Sequence, residues 1–294
     1  MDALPDSLKL DFLPRLTGSL STPARQNPTV AMIEAAYQHH KLHARYINCE
    51  VSAAELADAV RGVQALGWIG FNCSIPHKQA IIPLLSGLGR SASLIGAVNC
   101  VVIRDDKLIG ENTDGIGFLK SLRHLTDPAG KRFVLLGAGG AARAIAVELA
   151  LAGASHLTLV NRNRARAEEV AKLVADNTKT TAEGLGWDKA FALPADTDIL
   201  VNATSIGFYP DTSAMPNVVL ESLRPGMIVA DVIPNPPHTA LLQAASERGC
   251  VTLDGLGMLV YQGVASIEHW MGEAVDASVM RSKLEDIFRI SRAS

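Results

Sequence analysis

The stretch FVLLGAGGAARAIAVELALAG, residues Phe133 to Gly153, constrains this chain more than any other. Phe133 to Leu136 is a short apolar run, the pattern of a strand buried on both faces of a parallel sheet. The turn Gly137-Ala138-Gly139-Gly140-Ala141-Ala142 follows, and then a segment rich in alanine and leucine with apolar residues at helical spacing. In a dinucleotide turn the first glycine allows the tight reversal and the second lets a pyrophosphate approach the backbone. The small third position, here Ala142, lets the helix pack closely on the strand. Free N–H groups and the positive dipole end of the helix face the phosphates. Gly137, Ala138, Gly139, Gly140 and Ala141 are therefore candidate cofactor contacts. A glycine turn alone marks many strand-to-helix junctions; the strand and helix on either side make this one specific.

The next strand decides which nucleotide fits. His156 to Val160 reads as that strand, and it ends at Asn161-Arg162-Asn163-Arg164-Ala165-Arg166. An NAD site places an acidic residue here to accept hydrogen bonds from the ribose 2′-hydroxyl. Asn161 and three arginines stand there instead, suited to a 2′-phosphate with Arg162 against the adenine face. Arg164 and Arg166 also read as solvated residues of the following helix, Arg166 as readily as a cofactor contact. The expected cofactor is NADP.

At 294 residues the chain has room for two domains, each with its own core. A formal charge of -3 argues against a general nucleic-acid binder, which needs a basic face. Cys49, Cys73, Cys100 and Cys250 are scattered without a CxxC pair, which suggests neither zinc nor a disulfide framework. Reduced thiols fit a cytoplasmic location. The opening MDALPDSLKLDF lacks the basic-then-apolar pattern of a leader, and no apolar run is long enough to span a bilayer. His39, His40 and His43 lie on or just after a predicted helix and read as exposed rather than ligating.

Along the chain, strands and helices alternate ahead of the nucleotide unit, as in a small α/β domain. Residues up to Thr17 read as a first strand running into a hydroxyl cluster, Ser19, Ser21 and Thr22. Asn27-Pro28 then starts a helix with an apolar stripe of Val30, Ile33, Ala36 and Tyr37. A strand is predicted over 44–51, and Ser52-Ala53-Ala54-Glu55 is a capping box opening a helix to about Leu66. The strand 69–73 leads to Pro76-His77-Lys78 and a helix toward Leu85. Another strand, 97–103, carries Asn99; Asp114 then precedes a helix near 116–122, where it could act as no more than an N-cap. Later strands are predicted at 199–202, 227–231 and 251–253. Asn202-Ala203-Thr204 and Asp231 fall at carboxyl ends, where ligands bind in open α/β sheets. Thr239 to Arg248 reads as helix, and final helices start near Met258 and Val275.

The chain resembles the shikimate dehydrogenase family over nearly its full length. Its Asn-x-Thr-x-Pro-x-Lys segment appears as Asn72 to Lys78, with Ser74 for threonine. Gly96-Ala97-Val98-Asn99, Asn112-Thr113-Asp114, the Gly137–Gly140 turn, Asn161-Arg162 and Asn202-Ala203-Thr204 follow in order. The late Gly-x-x-Met-Leu-x-x-Gln element is Gly255, Met258, Leu259 and Gln262. Each motif alone is modest; together and in order they are specific. The resemblance implies a substrate-binding and catalytic α/β domain over 1–114 and a Rossmann-type, doubly wound parallel-sheet NADP domain over 115–257. Helices over 258–294 would return to the first domain.

The resemblance also implies reversible, NADP-dependent oxidation of the 3-hydroxyl of shikimate, a polyhydroxy cyclohexene carboxylate, to 3-dehydroshikimate on the aromatic amino acid pathway. Removing hydride from a carbinol carbon builds positive charge there unless the hydroxyl proton leaves to a base. Lys78 would handle that proton and Asp114 would orient it. A lysine ordinarily titrates near 10.4, so a free base at neutral pH needs desolvation to outweigh the neighbouring carboxylate. Ser19, Ser21, Ser74, Asn99 and Gln262 would bind the substrate. Arg166, Thr204, Val232 and Gly255 join the turn residues, Asn161 and Arg162 at the cofactor. Taken singly, Ser74 and Gln262 read equally as a cap and a surface amide.

Two departures bear on the substrate. The first serine motif is altered: aligning back from Ala35-Ala36-Tyr37 puts Asn27 and Thr29 at the serine positions, whereas Ser19 and Ser21 lie at the strand end and are preferred. The family's Asp-x-x-Tyr reads Asp231-Val232-Ile233-Pro234, so the tyrosine is missing. These changes mark a divergent member, with quinate or an amino analogue as alternative substrates. A catalytically weak metabolite-binding regulator is the alternative outside enzymes, although a sensor has no need of both Lys78 and Asp114. The oligomeric state is not fixed by the sequence, and a homodimer stays open.

Overall fold

The computed structural model describes residues 12–289; residues 1–11, most of the stretch read for a leader, lie outside them. The first half builds β1 (Arg15–Ser21), α1 (Thr29–His39), β2 (Ala44–Glu50), α2 (Leu56–Ala65), β3 (Gly70–Cys73) and α3 (His77–Ala80). It continues through β4 (Gly87–Leu88), α4 (Arg90–Ile95), β5 (Cys100–Arg104), β6 (Lys107–Glu111) and α5 (Thr113–Leu122). Its six strands pair in the order β2-β1-β3-β5-β6-β4. β1 runs parallel to β2 and β3, while β5 is antiparallel to β3 and β6.

The second half contains β7 (Arg132–Leu136), α6 (Gly140–Leu151), β8 (His156–Asn161), α7 (Arg164–Asn177), β9 (Thr181–Gly186) and β10 (Ile199–Asn202). After these come β11 (Ile228–Asp231), α8 (Ala240–Ser246), β12 (Val251–Leu253), α9 (Gly255–Met271) and α10 (Ala277–Phe288). Its sheet, β12-β11-β10-β7-β8-β9, is parallel throughout. That is the doubly wound dinucleotide order, reversing direction between β7 and β10. Phe133 to Leu136 are all buried, as a strand covered on both faces requires.

Two elements carry the chain between the halves. α5 leaves the first sheet and buries Phe118, Leu119 and Leu122 in one cluster with Ile145 and Leu149 of α6. α9 comes back: Val260, Ile267 and Trp270 pack with Met32, Ile33 and Tyr37 of α1, joined by Met280 and Leu284 of α10. The Trp270 indole donates to Val101 O at 3.0 Å. Each such apolar side chain contributes roughly 1.5–3 kcal/mol by leaving water, which makes the return of the last helices a main source of the first half's cohesion.

The structure departs from the sequence reading at several points. β1 does not end near Thr17 but runs on to Ser21, because Gly18 to Ser21 pair with Ile47 to Glu50 of β2. The helix after Pro76 is one turn, followed by a 3-10 turn at Ile82–Leu84. No pattern in the sequence predicts β4, α4 or β9, and α9 begins at Gly255 rather than Met258. The Ser52–Glu55 box forms with Glu55 accepting from the Ser52 hydroxyl and N–H, one turn before α2.

Candidate active site

A cavity of about 240 Å³ opens between the two halves. Its lining includes Ser74, Lys78, Asn99 and Asp114 of the first half, Val232 and Pro234 after β11, and Gly255, Met258, Leu259 and Gln262 of α9. It is below the roughly 300–1,000 Å³ of drug-sized sites, which suits a small substrate. β11 ends at the carboxyl edge of the second sheet, the edge at which such folds bind nucleotides.

Lys78 reaches the cavity from α3. Its carbonyl accepts from Val98 N, and the adjacent His77, fully buried, binds Val51 O at 2.8 Å. The Lys78 ammonium donates to Asp114 Oδ2 at 2.5 Å. Asp114 is not a helix cap. Asn112 caps α5 by accepting from Asp114 N, leaving the carboxylate free to face the lysine. Asn99 Nδ2 donates to Asp114 Oδ1 at 2.9 Å, and Asn99 Oδ1 accepts from Thr113 N. Asp114 thus has its two oxygens held by different donors, which sets its orientation.

Uncharged buried groups continue this network. Asn72 Nδ2 donates to Ser266 Oγ and to Asn99 O, while its Oδ1 accepts from Tyr46. Burial holds the Tyr46 phenol well above its usual range, so it stays a neutral donor. Burial likewise raises the thiol of Cys73, which lines the cavity as a neutral group.

Ser19 and Ser21 do not line the cavity. Extension of β1 buries both: Ser19 donates to Asn48 Oδ1 at 2.8 Å, and Ser21 Oγ has no hydrogen-bond partner. The five residues after the strand carry the chain onward, and Asn27 and Thr29 reach the cavity instead. Asn27 Oδ1 accepts from Thr29 N, and its Nδ2 donates to Ser19 Oγ. Ser19 is therefore a buttress behind Asn27. The signal was in the sequence, in the alignment back from Ala35-Ala36-Tyr37. Asn72, Met258, Leu259 and Ser266 were not assigned from the sequence as site residues.

On the nucleotide side, Gly137 has φ +105°, and a Cβ there would lie 2.9 Å from Ala203 O. Only glycine fits this turn. A Cβ on Gly139 or Gly140 would meet no atom within 4 Å, so the face above the turn is open. Gly139 caps α6 without a side-chain hydrogen bond, leaving first-turn N–H groups available to phosphate. At the end of β8, Asn161 Nδ2 donates to Asn163 O, and Asn163 caps α7. Arg164 pairs with Glu168 at 2.8 Å, whereas Arg162 and Arg166 are exposed and have no ion pair among the described residues. Thr204 folds onto Asn202 Oδ1 and packs against Gly137. These residues fit a phosphorylated dinucleotide.

Fold and site together define a two-domain, NADP-linked oxidoreductase. Residues 20–101 match the shikimate dehydrogenase substrate-binding domain, 120–235 the shikimate/quinate 5-dehydrogenase domain, and 255–285 the shikimate 5'-dehydrogenase C-terminal domain. A shikimate dehydrogenase (NADP(+)) of Methanopyrus kandleri is 40% identical over 287 residues, covering 96% of this chain and 99% of the relative. A crystal structure of 5-ketofructose reductase from Gluconobacter sp. strain CHM43 is 59% identical with a TM-score of 0.92, covering 95% of this chain and 100% of that one. A shikimate dehydrogenase solved in complex with NADP+ is 36% identical with a TM-score of 0.86, covering 95% and 96%. The chain belongs to the shikimate dehydrogenase family.

Proposed function

We propose that the chain catalyses reversible hydride transfer between NADP(H) and one carbinol carbon of a small polyhydroxylated substrate held over Lys78 and Asp114. The observation that carries this reading is the Lys78–Asp114 pair in a cavity that also takes in Val232 and Gly255 beside the nucleotide-binding edge. NADP accepts or supplies the hydride. In oxidation Lys78 takes the hydroxyl proton as hydride leaves the same carbon; in reduction its ammonium returns a proton to the carbonyl oxygen. Asp114, held by Asn99, keeps the Lys78 amine at that oxygen. With the family substrate the reaction is oxidation of the shikimate 3-hydroxyl to 3-dehydroshikimate, the activity for which the Methanopyrus relative is named. The four cysteines are free, in keeping with a reducing cytoplasm, and no described helix is long and apolar enough to cross a membrane. A homodimer is the assembly to test by light scattering.

The end wall of the cavity favours a second substrate. A carboxylate is an acceptor only and needs donors facing it. Here Asn27 brings a carboxamide with both an acceptor and a donor, Thr29 a hydroxyl, and Pro234 no polar side-chain atom. Among the described lining residues Lys78 is the only cation, and it is paired. Such a wall matches hydroxyl groups better than a carboxylate. The Gluconobacter structure at 59% identity is named for 5-ketofructose, a neutral six-carbon polyhydroxy ketone. We infer that reduction of a neutral ketose is the faster reaction. Initial rates with NADPH and 5-ketofructose, set against NADPH and 3-dehydroshikimate, test this. A kcat/KM higher by tenfold or more for the ketose supports it, and the reverse ratio returns the chain to shikimate.

A further inference from the structure

Asp231 is a buried carboxyl group that the hydride-transfer chemistry does not use. It ends β11 directly beside Asn202, the last residue of β10. Its Oδ2 accepts from Asn202 Nδ2 at 3.0 Å and from Thr239 Oγ1 at 2.8 Å, and its Oδ1 accepts from Ile233 N at 3.0 Å. Each donor belongs to a different piece of the site.

Asn202 leads to the cofactor. Its Oδ1 accepts from Thr204 N and Thr204 Oγ1, folding the 202–204 turn so that Ala203 O and Thr204 back Gly137 of the dinucleotide turn. Ile233 leads to the substrate. Val232 and Pro234 line the cavity, and a Cβ on Gly255 would lie 2.4–2.5 Å from Val232 and Ile233 backbone atoms. α9 therefore sits directly on this turn and carries Met258 and Gln262 into the same cavity. Thr239 anchors the far side, capping α8 by accepting from Leu242 N.

We propose that Asp231 is a positioning residue for cofactor and substrate binding, a clamp that holds the turn behind the dinucleotide glycines and the turn walling the substrate cavity in one fixed relation. Three donors from three segments converge on two oxygens. Three donors need acceptor sites on both oxygens, which an ionised carboxylate supplies and an amide of the same shape does not. The clamp is independent of which substrate the cavity takes.

The clamp has a pH signature. Burial pushes the Asp231 carboxyl up to about 6, against the pull of its hydrogen bonds. The groups facing it from β10, the 231–234 turn and α8 are Asn202, the Val232 and Ile233 N–H groups and Thr239, none of them charged. Protonation turns one acceptor oxygen into a donor facing donors, so the clamp loosens as pH falls through that value.

Four proteins test this: the parent, Asp231→Asn, Thr239→Val and Thr239→Ser. The readouts are NADPH dissociation constants by fluorescence titration, kcat and KM for the carbonyl substrate, and thermal unfolding. Asp231→Asn and Thr239→Val are expected to raise both the NADPH dissociation constant and the substrate KM several-fold or more, with kcat changed less. Thr239→Ser, which keeps the hydroxyl, is expected to restore both. In the parent, NADPH binding weakens below about pH 6; in Asp231→Asn the weakening shrinks to the part that the cofactor's own 2′-phosphate, which titrates in the same range, contributes. The proposal is overturned if both disrupting variants only melt earlier while binding, KM and pH profile stay within twofold of the parent. Thr239→Val carries the test alone if Asp231→Asn does not fold.

Discussion

Lys78 Nζ and Asp114 Oδ2 lie 2.5 Å apart although 36 residues separate them in the chain. The contact exists because a one-turn helix after Pro76 presents the amine, while Asn112 takes over the helix cap that would otherwise occupy Asp114. Replacing Asp114 by asparagine keeps the shape but sets an amide or a weaker acceptor against donors from Asn99 and Lys78. Steady-state kinetics of Asp114→Asn should show kcat lower by on the order of 10²-fold, the lower range for a disturbed proton-transfer group.

The 2′-phosphate reading rests on Arg162, exposed and without an ion pair among the described residues. Arg162→Ala should raise the KM for NADPH about tenfold, the loss of a charge-assisted hydrogen bond of about 1.4 kcal/mol, and raise the KM for NADH less, through the lost contact with the adenine face alone. Equal effects on both cofactors would place Arg162 away from the phosphate.

Asn27 and Thr29 stand where the family's serines align, so the wall they form is open to conversion. Asn27→Ser combined with Thr29→Ser swaps the carboxamide for a small hydroxyl beside a second one and restores the paired serines of the family motif. The ratio of kcat/KM for 3-dehydroshikimate to that for the neutral ketose should rise about tenfold, the size of one improved hydrogen bond to a charged group.

The buried Asp231 also leaves a mark on stability. Its folded value, about 6, lies above the ordinary unfolded carboxyl near 3.9. Between these limits the native protein holds a proton that the unfolded chain has released, so this group's contribution to stability falls as pH rises from about 4 to 6. Chemical denaturation of parent and Asp231→Asn across that window should show the parent losing up to about 3 kcal/mol relative to the variant, from 1.36 kcal/mol per unit. A constant difference would mean that Asp231 titrates normally.

Much of this site is legible in the sequence because its chemistry depends on residue type at fixed spacing. The glycine turn and Asn161-Arg162 follow from such patterns, and so does a parallel sheet built from runs like Phe133–Leu136; Lys78, Asp114 and Asn99 stand out only through the resemblance to the family's motifs. What escaped depends on contacts between distant segments. Ser19 and Ser21 look like an exposed hydroxyl cluster until pairing with β2 draws them into the strand. β9, with the sequence TAEGLG, has no apolar run and forms at the edge of the sheet by pairing with β8. α4, RSASLI, is too short for a periodic pattern, and packing of Ile95 against Ala144 and Val147 of α6 supports it. Asp231 reads as one more strand-end residue; only the convergence of Asn202, Ile233 and Thr239 distinguishes it.

The central claim is that the Lys78 amine moves the proton while hydride crosses to or from the nicotinamide. The most direct measurement is single-turnover reduction of the carbonyl substrate by Lys78→Ala saturated with NADPH, alongside NADPH titration to show that the cofactor still binds. A rate lower by roughly 10²–10⁴-fold with NADPH affinity intact is the predicted result. A rate within a few-fold of the parent would contradict the account.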